Sequence, residues 1–341
     1  MNLNERKIPF KVLKLEALLR NLPKQSSKRS DIESELSRRK AGYWGETQLD
    51  FYLRMLPDDG YFILNDLRLP FKDDYFQIDT LILTRRYCLI IESKNIKGVL
   101  FFDGHFDQLI RIEGDMEEAF EDPIVQSKNL ILKLSSLLSK QFPGLSFDYL
   151  VSIASPKTIL KSNTEKVDRV CHANTIVQRI FQLERLYKKE ILTFNQVQDI
   201  CAFLLSLNTP YNKSGTSAFH ITRKDLMDGV TCPICNNQLV YIRGKGGCFL
   251  CNQSFKDAYL IKLIDYFLLC EPTATNSDLR VFLAIPNRHH THNFLKGINI
   301  PFSGNAKGHV YHMPNNIREL LADPFLFLKT KQKGHVHEIH H

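Results

Sequence analysis

Apolar stretches long enough to cross a bilayer are missing from this 341-residue sequence, since a spanning helix needs about 20 predominantly apolar residues. Residues 1–7 also lack the continuous apolar core of a secretory signal. No Gly-x-Ser-x-Gly motif and no Cys/His signature occurs, which argues against a serine or cysteine nucleophile. Tryptophan is limited to Trp44, which we expect to anchor a hydrophobic core.

Charge and cysteine usage narrow the class of protein. The formal net charge is +8 and the pI is about 9.0, which favours an anionic partner, with nucleic acid as the first expectation. A chain of 341 residues is long enough for two or three domains, and a hydrophobic content of 43% permits sizeable cores. Four of the eight cysteines stand in two close pairs, so we expect a reducing, cytoplasmic location rather than a disulfide framework.

Acidic side chains interrupt two neighbouring apolar runs. Asp79 lies inside residues 76–84, and residues 87–94 end with Glu92 and Lys94. Only two arginines separate the runs, so the pattern predicts a hairpin of buried strands. Glu92 and Lys94 are two positions apart and therefore project to the same face of their strand. Asp79 on the neighbouring strand can reach the same place.

This group of charges suggests a metal site. Two carboxylates and an ammonium at the edge of an apolar sheet are costly unless they bind something. Carboxylates suit a hard divalent cation such as Mg²⁺ or Mn²⁺, and a lysine beside it can orient water or stabilise a phosphoryl transition state. Taken singly, Asp79 could be a turn or edge-strand acid, and Glu92 with Lys94 could be an exposed ion pair. These simpler interpretations do not explain why all three charges occur together in otherwise apolar strands.

Several short motifs occur in the order of a known family. They are residues 42–46 on a predicted helix, residues 77–79 and 91–95 on the two strands, residues 97–98, and residues 123–126 at the start of a later helix. In that order they resemble the NERD domain, the nuclease-related domain of bacterial proteins, within the PD-(D/E)xK nuclease pattern. The resemblance covers roughly residues 38–160, under half of the chain.

The resemblance assigns roles to five side chains. It implies a catalytic set of Glu46, Asp79, Glu92, Lys94 and Gln126. The three acids would hold Mg²⁺ or Mn²⁺, and Gln126 would position water or a phosphate. From the residues alone Glu46 is the weakest member, because a helical glutamate is usually solvated. Its role as a ligand requires the helix to pack glycine-side against the sheet, and Gln126 could equally be a surface residue.

Two Cys-x-x-Cys pairs predict a second metal site. Cys232 and Cys235 form the first pair, Cys248 and Cys251 form the second, and a predicted hairpin lies between them. This spacing is typical of a zinc ribbon, in which four thiolates hold one structural Zn²⁺. The segment resembles the small ribbons of bacterial topoisomerases and should need its metal to fold. A redox role for one pair would leave the other unexplained. Whether the ribbon contacts nucleic acid stays open.

A helix, a tight turn, a polar and basic helix and a glycine-containing loop follow at residues 276–312. The pattern resembles a helix-turn-helix with a wing. The side chains expected to face nucleic acid are Arg288, His289, Thr291, His292, Lys296 and Lys307. Two alternatives stay open. The segment is a small helical docking unit without DNA contacts, or local histidines bind a metal, although at most two of them share one helix face.

The order of predicted elements gives an α/β fold with a mixed, restriction-endonuclease-like sheet flanked by helices, followed by a small zinc ribbon and a helix-turn-helix or winged α+β segment. The expected boundaries are an N-terminal helix and linker at 1–37, the nuclease-like domain with a helical extension at 38–209, a linker at 210–228, the ribbon at 229–256, the winged segment at 257–320 and a tail at 321–341.

These features predict a metal-dependent nuclease that hydrolyses DNA phosphodiester bonds and is targeted by its C-terminal modules. RNA is not excluded as a substrate. A DNA-binding protein that does not cleave and an adaptor in DNA processing are the alternatives. The sequence predicts no membrane association, and it is compatible with homo-oligomers and with partner proteins of DNA repair, plasmid maintenance or defence.

Overall fold

A computed structural model describes residues 1–165, 167–209, 219–305 and 308–322. The chain divides into two compact units, of which unit 1 is Met1–Lys7 with Arg38–Asn212 and unit 2 is Ile8–Ser37 with Lys213–His341. In the described ranges, no helix is both long and apolar enough to span a bilayer. The predicted contact of Lys307 and the predicted tail from residue 323 onward lie outside the described residues.

The strands and helices have the following bounds. The strands are β1 (Asn2–Asn4), β2 (Phe62–Phe71), β3 (Asp74–Leu83), β4 (Cys88–Lys94), β5 (Val99–Asp103), β6 (Gln108–Glu113), β7 (Met116–Glu121), β8 (Phe147–Ile153), β9 (Ile159–Ser162), β10 (Val170–His172), β11 (Val240–Ile242), β12 (Lys245–Cys248), β13 (Gln253–Phe255), β14 (Thr273–Thr275), β15 (Phe302–Ser303) and β16 (Val310–His312). The helices are α1 (Phe10–Asn21), α2 (Arg29–Leu53), α3 (Pro123–Leu138), α4 (Ile176–Glu184), α5 (Phe194–Leu207), α6 (Ala258–Leu269), α7 (Asn276–Leu283), α8 (Arg288–Gly297) and α9 (Ile317–Ala322).

Unit 1 is built on a mixed sheet with the strand order β1-β2-β3-β4-β8-β10. Strands β2, β3 and β4 pair antiparallel, whereas β4, β8 and β10 pair in parallel and β1 lies parallel to β2. A second sheet has the order β7-β6-β5-β9. The mixed α/β fold and the hairpin of the two motif strands, β3 and β4, are therefore confirmed.

Alternation along β4 decides where its polar end projects. Ile90 belongs to the core that α3 covers, and Ile91 belongs to the core on the other face, which α2 covers. Successive side chains of a strand point to opposite faces. Glu92 and Lys94 therefore continue the row of Ile90 and emerge beside the start of α3. The strand end thus carries two charged side chains toward one helix terminus.

Unit 2 has a single core to which α1, the ribbon and the helices α6 to α8 all contribute. Leu15 and Leu18 of α1 are buried there, and Arg20 and Asn21 donate hydrogen bonds to the buried carboxylate of Asp265 in α6. The sequence predicts residues 1–37 as a separate N-terminal segment. In the structure, residues 1–7 belong to unit 1 and residues 8–37 belong to unit 2. The reason is pairing between side chains that lie far apart in the chain.

The C-terminal part of unit 2 combines short helices with a small three-stranded sheet. The elements α6, β14, α7, α8, β15 and β16 follow one another, and the three strands form a sheet in the order β14-β16-β15. Thr275 and Asp278 form a capping box at the start of α7, and Asn287 caps α8 by accepting from the His290 amide. These elements give the segment the α+β composition that the sequence predicts, whereas its helix-turn-helix character stays a prediction.

The prediction that Trp44 anchors a core is wrong. Its exposed fraction is 62%, because the inward face of α2 at this level is occupied by Gly45 and Leu49, which are both buried. Neighbouring positions on a helix point in different directions. Trp44 therefore lies on the solvent side of the motif helix.

Candidate functional site

Lys94 is held between two acceptors at the end of β4. Its Nζ donates to Glu92 Oε1 at 2.7 Å and to Gln126 Oε1 at 2.9 Å. Gln126 lies in the first turn of α3, which starts with Pro123 and is capped by the Asp122 carboxylate. The Glu92 side chain is 5% exposed and that of Lys94 is 23% exposed. Three of the five predicted site residues thus meet in one hydrogen-bonded group.

Asp79 joins this group from β3. Its Oδ2 accepts a hydrogen bond of 3.2 Å from the Ser93 amide, between Glu92 and Lys94. The ladder between β2 and β3 skips the pair formed by Asp79 and Asp66, and Asp66 has a left-handed φ of 52°. Such a φ is uncommon outside glycine and often marks a functional position. The sheet is therefore locally irregular beside the predicted acid.

Glu46 reaches the site because α2 packs glycine-side against the end of β4. A Cβ atom at Gly45 would lie 2.7 Å from Asn95 Cβ, so no larger residue fits without a shift. Asn95 also donates a hydrogen bond of 2.7 Å from Nδ2 to the Ala41 carbonyl of the same helix. The expectation that the helix packs glycine-side against the sheet is therefore met at Gly45. It is not met at Gly42, where a Cβ atom would have no neighbour within 4 Å.

Arg6 contacts the acid cluster, although no sequence pattern predicts it. Its guanidinium donates to Glu46 Oε2, Asp50 Oδ2 and Asp66 Oδ1, each at 2.8 Å, and to the Asp79 carbonyl at 3.1 Å. The Arg6 side chain is only 2% exposed. Nothing in its local sequence signals this role, because it stands in a basic stretch without a motif and its partners begin 40 residues away.

The acids of the site carry unfavourable charge. Burial raises the pKa of the Glu92 carboxyl, and the Asp79 carboxylate adds to the rise, while Lys94 opposes it. Burial likewise raises the pKa of Glu46, again with Asp79 as the next cause and with Arg6 opposing. Asp79 is therefore the charged neighbour common to both glutamates. A bound cation would stabilise all three ionised carboxylates.

The donor atoms fit a divalent cation held mainly by two acids. Asp79 and Glu92 offer carboxylate oxygens, the ligands that Mg²⁺ and Mn²⁺ prefer. In the described residues, the four cysteines are the only set of three or more metal-binding side chains with ligand atoms within 4.8 Å of one another. Glu46 thus does not close a three-carboxylate cage, and its hydrogen bond to Arg6 is consistent with a supporting position.

The cysteine cluster fits a tetrahedral zinc site. The sulfur of Cys232 lies 3.9 Å from that of Cys251, and the sulfur of Cys235 lies 3.5 Å from that of Cys248. Sulfurs bound to one tetrahedral Zn²⁺ at about 2.3 Å lie about 3.8 Å apart. The strands β11, β12 and β13 form the small sheet of the ribbon. The predicted zinc-ribbon architecture is compatible with all of these distances.

Zinc removal should unfold part of the protein. Cys248→Ser should reduce bound zinc from about one ion per chain to none and should lower the melting temperature of unit 2, because structural zinc contributes about 10–16 kcal/mol in small zinc modules. Metal content and thermal unfolding of the full chain measure both effects. Cys270→Ser, at a cysteine outside the cluster, is the matched control. Unchanged zinc content in Cys248→Ser would contradict the assignment.

The predicted nucleic-acid contacts of α8 separate into different faces. Arg288, His292 and Lys296 are all exposed and four residues apart, so they share one face. His289 is exposed as well, and its Nε2 lies 2.9 Å from Asn293 Nδ2. The prediction for Thr291 is wrong, because its side chain is fully buried and its hydroxyl donates to the backbone of the preceding turn.

Comparison with known families bears on unit 1. The family model of the nuclease-related domain, NERD, matches residues 41–154. No curated protein and no solved structure matches the chain. The matched region extends from just before Glu46 to just after the end of β8, and it includes Asp79, Glu92, Lys94 and Gln126. Residues 41–154 are therefore similar to a nuclease-related domain, and this region includes all five side chains that the sequence predicts to be catalytic.

Proposed function

We propose that unit 1 is a metal-dependent nuclease that hydrolyses DNA phosphodiester bonds. The observation that carries the proposal is the convergence of Asp79, Glu92 and Lys94 at one sheet end, inside the region that matches the nuclease-related domain. Charged groups in this combination are costly in a buried setting, and a phosphate with a divalent cation would compensate each of them. This chemistry is typical of metal-assisted phosphodiester hydrolysis.

Asp79 and Glu92 would hold the divalent ion, Mg²⁺ or Mn²⁺. Such an ion, when bound, polarises a phosphodiester and lowers the pKa of a water molecule. The Ser93 amide fixes one oxygen of Asp79, which leaves the other oxygen for ligation. Glu92 accepts a hydrogen bond from Lys94 with Oε1, which leaves its other carboxylate oxygen for ligation.

Lys94 would supply positive charge to the reacting phosphate. Its ammonium is oriented by Glu92 and Gln126, so little reorganisation is needed when negative charge develops on the phosphate oxygens. Gln126 in turn is fixed by the capped start of α3. Arg6 would keep the Glu46 carboxylate beside Asp79 and neutralise part of the surrounding acid charge.

Unit 2 would bring nucleic acid to the enzyme. Arg288, His292 and Lys296 form an exposed face of α8, and the hairpin of β15 and β16 stands beside it, with the His309 ring 6.2 Å from that of His292. Basic groups on a helix next to a wing are suited to phosphate contacts, which give affinity without much sequence selectivity. The net charge of +8 agrees with an anionic partner.

Lys94→Met should strongly reduce the rate of cleavage while nucleic-acid binding is kept. The assay follows supercoiled, linear and branched DNA, and single-stranded RNA, with Mg²⁺ or Mn²⁺. Loss of a preoriented charge in the transition state corresponds to a rate decrease of about 10²–10³-fold. Lys140→Met is the matched control, since Lys140 is an exposed lysine beyond the end of α3. Cleavage that Lys94→Met leaves intact would sink the proposal, and cleavage of RNA alone would change the substrate class.

A nucleic-acid-binding protein that does not cleave is the second candidate, and Arg6 is the observation that favours it. A buried guanidinium already compensates the Glu46, Asp50 and Asp66 carboxylates, so part of the acid cluster is stable without a metal. Metal titration distinguishes the two candidates. Mn²⁺ binding that is lost in Asp79→Asn supports the enzyme, whereas DNA binding without any metal affinity supports the binding protein.

A further inference from the structure

Unit 2 contains a cleft of about 750 Å³ between the ribbon hairpin and helix α8. The two walls belong to one core, and the ring of Tyr241 in β11 lies 6.1 Å from that of Phe294 in α8. A Cβ atom at Gly244, in the hairpin turn, would lie 3.9 Å from the Phe294 ring. The hairpin tip is thus packed against the helix, and the cleft is a built feature of the unit.

The cleft is strongly basic. Arg243, Lys245 and Lys256 line it and are exposed, and Asp257 is the only acid among its described lining residues. Over the described parts of the chain, none of the three cations forms an ion pair with a carboxylate. Three unneutralised cations around one concave surface attract an anion with several charges. A polymer of phosphodiesters supplies such charges at regular intervals.

The turn of the hairpin holds its cation in a defined place. Arg243 and Gly244 are the two residues between β11 and β12, and both have positive φ, at 47° and 86°. This is the backbone of a tight two-residue hairpin turn. Arg243 is therefore presented at the rim of the cleft by a short, structured loop, which lowers the entropy lost when it binds a phosphate.

Aromatic rings lie beside the cations. The rings of Tyr241 and His290 have centroids 6.0 Å apart and are tilted by 34°, and both residues line the cleft. Bases stack on such rings only when they are unpaired, because paired bases in a duplex cover one another's faces. Basic side chains with adjacent rings are typical of protein sites that bind single-stranded nucleic acid.

We propose that this cleft binds a single-stranded segment of nucleic acid. Phosphates would contact Arg243, Lys245 and Lys256, and a base would stack against His290 and Tyr241. The proposal rests on the proposed function only in taking nucleic acid as the partner of the protein. It assigns the ribbon a direct contact with the ligand, separate from the face of α8 that carries Arg288, His292 and Lys296.

The test measures binding of a labelled oligothymidine of about 12 nucleotides to the full chain by fluorescence anisotropy, without added Mg²⁺ or Mn²⁺. Lys245→Ala/Lys256→Ala should weaken binding about tenfold and reduce the slope of log Kd against log salt by about 1.4, or about 0.7 for each lost phosphate contact. The control is Lys24→Ala/Lys224→Ala, which removes the same charge from exposed positions of unit 2 outside the cleft.

Base stacking is tested separately. His290→Ala should weaken binding of oligothymidine about tenfold and leave binding of an abasic strand of equal length unchanged. The proposal would be overturned if the double lysine variant of the cleft and its control lost equal binding affinity. It would also be overturned by equal losses of affinity for duplex and single-stranded DNA, or by a wild type that does not bind single strands. Because the assay needs no cleavage, a protein that cleaves nothing but shows these losses would lose the nuclease assignment and keep the cleft.

Discussion

Glu92→Gln should reduce metal-dependent cleavage by about 10³-fold, because a bound metal contributes several kcal/mol to such a transition state and about 1.4 kcal/mol corresponds to a factor of ten. The amide keeps the size of the side chain but removes the charge that would ligate the cation. The same variant should be at least as stable as the wild type at pH 8 in metal-free buffer. Burial and the Asp79 charge outweigh Lys94 and raise the Glu92 pKa to about 7.

The sign of the pH dependence follows from that raised pKa. A carboxyl that ionises near 4.5 when unfolded and near 7 when folded stabilises the fold only while it is protonated. Its contribution is therefore complete below about pH 4.5 and is lost as the pH rises toward 7 and beyond. Denaturant unfolding at pH 5 and pH 8, with Glu117→Gln on an exposed strand position as control, should show wild type losing stability relative to Glu92→Gln. A variant that is less stable at pH 8 would contradict this view of the site.

Arg6→Met should decrease the free energy of unfolding of unit 1 by about 3–5 kcal/mol, the usual cost of removing one partner from a buried ion-pair network. The guanidinium is nearly fully buried, and it contacts Glu46, Asp50 and Asp66. Without it, these three carboxylates would lose the guanidinium with which each of them forms an ion pair. Methionine retains much of the apolar stem, so the loss is mainly electrostatic.

Chemical denaturation of the full chain measures this effect, with Arg54→Met at an exposed position near the end of α2 as the matched control. Adding Asp66→Asn to Arg6→Met should recover part of the lost stability, because it removes one of the repelling charges. A loss below about 1 kcal/mol, the range of surface ion pairs, would show that Arg6 does not hold the acid cluster together.

Local patterns predict a large part of this site. Two apolar strands joined by a short turn define the hairpin of β3 and β4, and spacing by two positions places Glu92 and Lys94 on one face. Fixed Cys-x-x-Cys spacing predicts the cysteine cluster in the same way. In each case the partners are close in sequence or lie on adjacent strands, so strand and turn geometry determines their separation.

Contacts between distant segments are what the patterns do not predict. Arg6 meets partners 40 to 74 residues away, and α1 packs on α6 through Asp265, more than 240 residues along the chain. The predictions for Thr291 and Trp44 are wrong for a related reason. Which face of a helix is buried depends on the element that covers it, and a short polar helix such as α8 has an ambiguous apolar stripe.

The most direct test of the central claim compares wild type, Glu92→Gln and Lys94→Met on supercoiled plasmid DNA with and without Mg²⁺ or Mn²⁺, with DNA affinity measured in parallel. We expect metal-dependent nicking or linearisation by the wild type and its loss in both variants. DNA affinity should stay within about twofold of wild type, because under the proposal unit 2 would supply most phosphate contacts. No metal-dependent cleavage by the wild type on any DNA, with binding that survives both substitutions, would contradict the nuclease assignment.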